Sequence, residues 1–493
     1  MTMDWGGIVD RCATLIEHIH TASIGLPLDG TDDAERLREA LGRPPDLVVR
    51  DIGPVRALYL TSIVDQRRIE DAVIRPLATG SGSGSPYPQT FAADLSSLCT
   101  HGDAIDALLA AKAVLLSRGC PGGLAVPAQN WPQRQIEEPV AEFIARGPHA
   151  GFVENLDTNI ALLRHALPDA SLRWERIPTG RRAGTRGALV HMDGLVRPHV
   201  LARVRSHLRR ARPSFTEDAA MLAQWLAPRS DVLFPTVGTT ERPDRAAAAL
   251  LEGRVAILVS GSPTVLLIPN VFAHLLHVPE DYYQMPVAAL ANRLIRILGL
   301  LVAAGASPLL VALTTVNHDL IPERLFVAIA QARRGVPIPI AVEVLLLEIT
   351  VEVIREAGVR LPGPVGQSVA IIGAVIVGQA AVISGLISAP AVVIVSLAFI
   401  ASFVLPSTDL VMTLRLTRYP LIVLAAVFGL YGVTWGLLLI LIYLCALDSF
   451  GVPYLAPLAP LRVRGLQDTL WRLPLPRLRR SFLAARARRG TPR

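Results

Sequence analysis

Between Leu361 and Thr408 the chain runs for 48 residues without one Asp, Glu, Lys, Arg or His. A helix crosses a hydrocarbon core of roughly 30 Å with about 20 apolar residues. The run therefore holds two crossings, with a turn expected at Ser388-Ala389-Pro390. Two further charge-free runs, Ile297–Asn317 and Tyr419–Leu447, bring the expected count to four transmembrane helices. A hydrophobic content of 51% over 493 residues excludes an ordinary soluble protein, although the first 285 residues are mixed and charged. The expected architecture is an α/β cytoplasmic N-terminal region of two subdomains followed by an α-helical transmembrane domain, with about four spans plus a re-entrant or interfacial helix.

The first half of the long run, Val365–Leu386, has two unlike faces when its residues are set about 100° apart on a helical wheel. Gly366, Ala370, Gly373, Ala374 and Ala381 share one face, and such small residues let membrane helices approach closely. Ser368, Ile372, Val375, Gln379, Val382 and Leu386 share the other. An unpaired hydroxyl or amide in lipid is costly, so Ser368 and Gln379 need either a hydrated passage or a neighbouring helix. Both readings stand on the wheel alone.

Orientation follows from the end of the chain. From Arg462 to Arg493 there are ten arginines against one acid, Asp468, which accounts for the net charge of +7. Positive segments next to a span stay cytoplasmic and meet anionic lipid. Met1–Leu28 is interrupted by Asp4, Asp10 and Glu17 and has no signal-peptide core, so both termini are expected inside. Four spans satisfy this, but they set Arg333, Arg334, Arg415 and Arg418 on the outer side, against the charge rule. Nucleic acid is excluded as a partner, because no aromatic interleaving, zinc spacing or binding motif accompanies the arginines.

The organisation expected is an α/β subdomain over 1–78, a Gly/Ser linker over 79–90 and a second α/β subdomain over 91–285. The helical membrane domain over 286–460 and the Arg-rich tail over 461–493 follow. Short strands and amphipathic helices alternate through the soluble part, including strand pairs at Ala113–Leu116 with Gly123–Val126 and at Val255–Val259 with Thr264–Ile268.

Between the first two spans, Glu343, Glu348, Glu352 and Glu356 interrupt an apolar helix; the last three advance by only about 40° each, with Arg355 alongside. One reading is a helix lying at the membrane interface with its acids in water. The other is an acidic vestibule that concentrates cations. No enzyme is expected: nucleophile elbow, zinc-helix, paired Cys-x-x-Cys and Walker motifs are all missing. The four cysteines and the His18/His20 and His274/His277 pairs lack metal-site partners, so neither cofactor nor metal is expected.

Several short segments in a fixed order carry a resemblance. They are Val55–Asp65, Glu138–Pro148 with Gly151–Asn155, Thr240–Asp244 with Leu251–Arg254, Pro279–Tyr283, Ala332–Pro337, Pro362–Gln367 and Gly451–Pro457. Together they resemble the A subunits of GerA-type spore germination receptors over nearly the whole chain from Asp46 to Pro460. The resemblance implies a multi-pass protein of the spore inner membrane, acting with a transporter-like B subunit that senses the nutrient and a lipoprotein C subunit. It further implies a homo-oligomeric ring, a pentamer in the assembly proposed for the family, that releases monovalent cations when germinant binds. Ser260 stands where the family pattern has an acid. A paralogue of the SpoVA operon shares most of these motifs. A non-conducting scaffold is the competing reading, and a secondary transporter would need inverted repeats, which are not visible. In the channel reading Val365–Leu386 lines the pore, with Ile372 and Val375 as the apolar constriction.

Overall fold

A computed structural model describes residues 28, 33–79, 95–117, 122–129, 142, 147–179, 186–211, 216, 218–227, 232–360, 378–462, 465–466 and 469. Two antiparallel five-stranded sheets form the soluble part. The first, in the order β1 (Leu47–Ile52), β2 (Val55–Leu60), β4 (Lys112–Ser117), β5 (Gly123–Pro127), β3 (Ser96–Leu98), is covered by α1 (Asp33–Ala40), α2 (66–79) and α3 (His101–Leu109). Asp65 caps α2 by accepting from the Arg67 and Arg68 amides, satisfying orphan donors of the first turn. Thr100 and Asp103 form a capping box at α3.

The second sheet repeats the arrangement as β6 (Leu172–Pro178), β7 (Arg186–Met192), β9 (Val255–Val259), β10 (Val265–Ile268) and β8 (Gly238–Thr240). Helices α4 (Leu156–Ala166) and α7 (Pro243–Leu251) cover one face. The other face packs on α5 (Pro198–Arg210) and α6 (Ala219–Leu226), and on Phe450, Val452 and Ala456, which arrive from beyond the membrane helices. The expected α/β alternation and both strand pairs are present. Asp46 of the first unit accepts from Arg164 Nη2 and Trp174 Nε1 of the second, each at 3.0 Å, and from Ser62 Oγ at 2.5 Å. A buried carboxylate with three donors fixes the two units to each other.

A short helix, α8 (Glu280–Tyr283), leads into the first apolar helix, α9 (Pro286–Thr315). The buried Asp281 carboxylate accepts from Arg293 Nε at 3.1 Å and from both Nη atoms of Arg296 at 2.7 and 2.8 Å. The start of α9 is thereby bolted to the soluble part. After α10 (Glu323–Ala332), the chain continues through α11 (Ile340–Arg360), a helical turn at 378–383, α12 (Ala389–Phe403) and α13 (Thr408–Ala446). Among the described residues, α9 and α13 are long and apolar enough to cross a membrane, and α12 is a shorter apolar helix.

The last expected span, Tyr419–Leu447, needs correction. It is part of a hairpin, because α13 breaks at Gly429 (φ 60°, ψ −142°) and doubles back. Leu233 is bonded to both arms: its carbonyl accepts from Thr413 Oγ1 at 2.8 Å and its amide donates to Tyr443 Oη at 3.0 Å. In a straight helix those two residues would stand about 45 Å apart. Gly432 and Gly436 serve the crossing, since a Cβ on Gly432 would lie 2.1 Å from the Leu424 carbonyl and one on Gly436 2.4 Å from the Leu421 side chain. At the hairpin tip Asn317 Oδ1, just past the end of α9, accepts from the Leu430 amide at 2.7 Å. The tip therefore lies at the end of α9 remote from the soluble part. Arg415 lies in the half of its arm nearer the soluble part and Arg418 at the arm's midpoint, so neither is on the far side, where the four-span scheme put them.

Candidate functional site

The charges of α11 do not face water along their length. Glu343 is fully buried and Glu348 nearly so, while Glu352 is half-buried and Glu356 exposed. Each buried acid has partners drawn from another helix. Glu343 Oε1 accepts from the Ser388 amide and hydroxyl, both at 2.5 Å, with Arg333 Nε 3.6 Å from its other oxygen. Glu348 accepts from Ser307 Oγ at 2.6 Å and from Arg418 Nη1 at 2.5 Å. Glu352 is bound by Arg415. Arg355 lies over the ring of Phe399 at 4.8 Å, a cation–π contact.

The seam runs through the middle of the helical bundle. Arg418 lies ten residues from the start and eleven from the break of its arm, about 15 Å from either end. Ser307 sits eight residues before the end of α9. The Glu348–Arg418 pair is thus at the centre of a layer the thickness of a hydrocarbon core, where an unpaired charge would be costly and a paired one marks function by default. Outward, α11 shows Val342, Leu346, Ile349 and Val353, all exposed and apolar. One helix thus carries a lipid-compatible stripe and a charged stripe, and the charged stripe faces its own bundle.

Of the residues singled out for pore lining, Ser368, Ile372 and Val375 lie outside the described residues, as do the packing candidates Gly366, Ala370, Gly373 and Ala374. Gln379 is exposed on the 378–383 turn, and Val382 and Ala381 are half-buried. The helix ends there: the Ala381 carbonyl accepts from the Leu386 and Ile387 amides, and Ser388 takes the N-cap position of α12. Sequence reasoning missed Arg333, Arg415, Arg418, Ser307 and Ser388 as partners of the glutamates. For the three arginines the signal was present, as cations in apolar surroundings whose placement outside broke the charge rule. Among the described residues no group of His, Cys, Asp and Glu is placed to hold a metal ion.

Comparison with known proteins places these features in context. A profile of the family described as Bacillus/Clostridium GerA spore germination protein matches residues 35–482. Spore germination protein KA of Bacillus subtilis is 34% identical over 451 residues, covering 89% of this chain and 83% of that protein. Spore germination protein B1 of the same organism is 32% identical over 479 residues, covering 94% and 98%. Spore germination protein GerLA of Bacillus cereus is 31% identical over 453 residues, covering 89% and 92%. Among solved structures, the N-terminal domain of the A subunit of the Bacillus megaterium spore germinant receptor GerK3 aligns at 23% identity with a TM-score of 0.39, over 51% of this chain and 98% of that one.

Proposed function

The chain belongs to the Bacillus/Clostridium GerA family of spore germination proteins, and from that premise we propose that it is the membrane subunit of a germinant receptor, conducting monovalent cations as a homo-oligomer. In this reading six segments cross the spore inner membrane: α9, α11, the stretch from 361 to 383, α12 and the two arms of α13. Both termini lie in the cytoplasm. Receptor B and C subunits supply nutrient sensing and lipid anchoring, and the Arg-rich tail meets anionic lipid.

The observation that carries the reading is Gln379. Its side chain is exposed on an isolated subunit, two residues before the half-buried Ala381 and Val382, within the charge-free run Leu361–Thr408. A membrane-embedded amide without an intrachain seat needs water or a polar neighbour, and a passage at the centre of a ring provides the first. Glu352 and Glu356, the less buried acids of α11, then flank the mouth on the soluble side. Germinant bound to a partner subunit would shift the ring toward its open state by no more than its differential affinity for the two states.

The purified oligomer, reconstituted in a planar bilayer, should conduct monovalent cations. Cysteines at Ser368 and Gln379 should react with a water-soluble thiol reagent from the aqueous phase. An oligomer without conductance whose Gln379 cysteine stays unreactive would point to the non-conducting scaffold, a reading favoured by the intrachain partners that hold Glu343 and Glu348.

A further inference from the structure

The soluble part presents an apolar edge at the level where the membrane helices begin. Helix α6 buries Ala219, Leu222 and Leu226 against the second sheet and turns Met221 and Trp225 outward on one line, 42% and 57% exposed. Leu233 is also exposed, at 39%. The Leu233 backbone is bonded to Thr413, five residues inside the first arm of α13, and to Tyr443, three residues before the end of the second. At about 1.5 Å per residue this sets Leu233 some 5–7 Å inside the helix ends. Neighbouring helix surface at that level is apolar and open, with Phe403 and Met412 both more than half exposed. Trp225 shares a cleft of about 1030 Å³ with Phe234 and with Pro406–Asp409, which lead into α13.

A Trp, a Met and a Leu left open beside lipid-facing helices, with a Tyr hydroxyl at the same level, is the composition of a membrane–water boundary. Amphipathic rings settle there with the apolar body in the acyl region and the polar edge among headgroups. We propose that α6 and Leu233 are seated in the bilayer interface of the leaflet on the soluble side. Phospholipid of that leaflet is the occupant of the surface formed by Met221, Trp225 and Leu233 and of the cleft mouth behind it. The soluble part is then a monotopic attachment as well as an appendage of the spans, so a shift of the α13 hairpin against the leaflet would move the second sheet with it.

The proposal rests on the reading that α13 spans the bilayer, and the test separates the two. The full chain, with Cys12, Cys99, Cys120 and Cys445 changed to Ser, is reconstituted in phosphatidylcholine–phosphatidylglycerol nanodiscs with one fluorophore at Trp225→Cys or, independently, at Met221→Cys. Ile442→Cys on α13 and Val49→Cys on the first sheet serve as references. Doxyl lipids should quench the label at 221 or 225 to roughly half its intensity, with iodide quenching weaker than at Val49. Iodide quenching equal to that at Val49 with no doxyl effect overturns the seat while a quenched Ile442 label keeps the span. Protection from both quenchers also overturns it and assigns the face to a neighbouring protein. An unquenched Ile442 label removes the span itself and the seat with it.

Discussion

Arg418 Nη1 lies 2.5 Å from Glu348 Oε2, joining α13 to α11 at the middle of the helical bundle, 70 residues apart in the chain. Taking two ions out of water is expensive, and only good geometry with further hydrogen bonds offsets it, which Ser307 supplies on the other carboxylate oxygen. Removing one partner leaves a buried charge. Arg418→Met should destabilise the membrane domain by about 3–5 kcal/mol, whereas Arg418→Met combined with Glu348→Met should recover much of that loss. Thermal melting of the detergent-solubilised chain measures both, and additive losses in the double variant would show that the pair is not coupled.

The hairpin in α13 yields a second test. Gly429 has φ +60°, and a Cβ there would lie 2.2 Å from Asn317 Oδ1, so Gly429→Ala meets both strain and a clash. It should lower the melting temperature more than Asn317→Ala, which only leaves the Leu430 amide without its acceptor. Cysteines at Leu421 and Gly436 should form a disulfide within one chain. A straight α13 would hold them about 22 Å apart and give no cross-link.

Much of the soluble fold could be read from the chain. Short continuous apolar runs bounded by Gly, Ser and Pro marked β4 with β5 and β9 with β10. Local pattern carries such elements because their cause is local. Sheet order is different: β3 precedes β4 in the chain but lies at the far edge beside β5, and no local signal specifies that. The hairpin was hidden for a related reason, since Gly429 sits in a charge-free apolar run with Gly432 and Gly436, where nothing local separates a chain reversal from a continuous helix. For the charged seam, periodicity showed that the glutamates form a stripe, but the direction of that stripe depended on arginines 63 and 70 residues away.

Buried histidines make the soluble part acid-sensitive. His274 and His277 are both buried, which pushes their imidazoles well below the ordinary value of 6.5, with the Arg254 charge adding to the effect on His274. His274 Nδ1 also accepts from the Val271 amide, which requires the neutral ring. The unfolded chain binds protons below pH 6.5 and the folded one does not, so stability is complete above that pH and falls as pH drops through it. Each histidine should contribute a slope of about 1.4 kcal/mol per pH unit. Denaturant midpoints between pH 5 and 7.5 should show this decline, and His277→Gln should make it shallower.

The joint between the soluble part and α9 makes a prediction about coupling. Asp281 holds Arg293 and Arg296 with all three groups buried, so Asp281→Asn should leave two guanidinium groups short of charge. Loss of function at normal protein level would mark the joint as a transmitter between the soluble part and the spans. Loss of protein level alone would mark it as structural.

The pore reading is the most exposed to test. In that reading Ser368 and Gln379 bracket Ile372 and Val375 on one side of the helical wheel, and an apolar ring between polar positions would gate by dewetting when it narrows. Val375→Ala widens that ring by two methyl groups per subunit and lowers the barrier to water, so spores carrying it should leak cations or germinate with altered kinetics. Val375→Ser should act in the same direction and more strongly, because a hydroxyl favours wetting without adding bulk. Gln379→Leu should reduce ion release, since it removes the amide from the wetted face while leaving helix propensity nearly unchanged. Ion release and germination rate are measured against protein level in the spore membrane. If all three variants accumulate normally and germinate like the parent, this helix face does not line a conducting path.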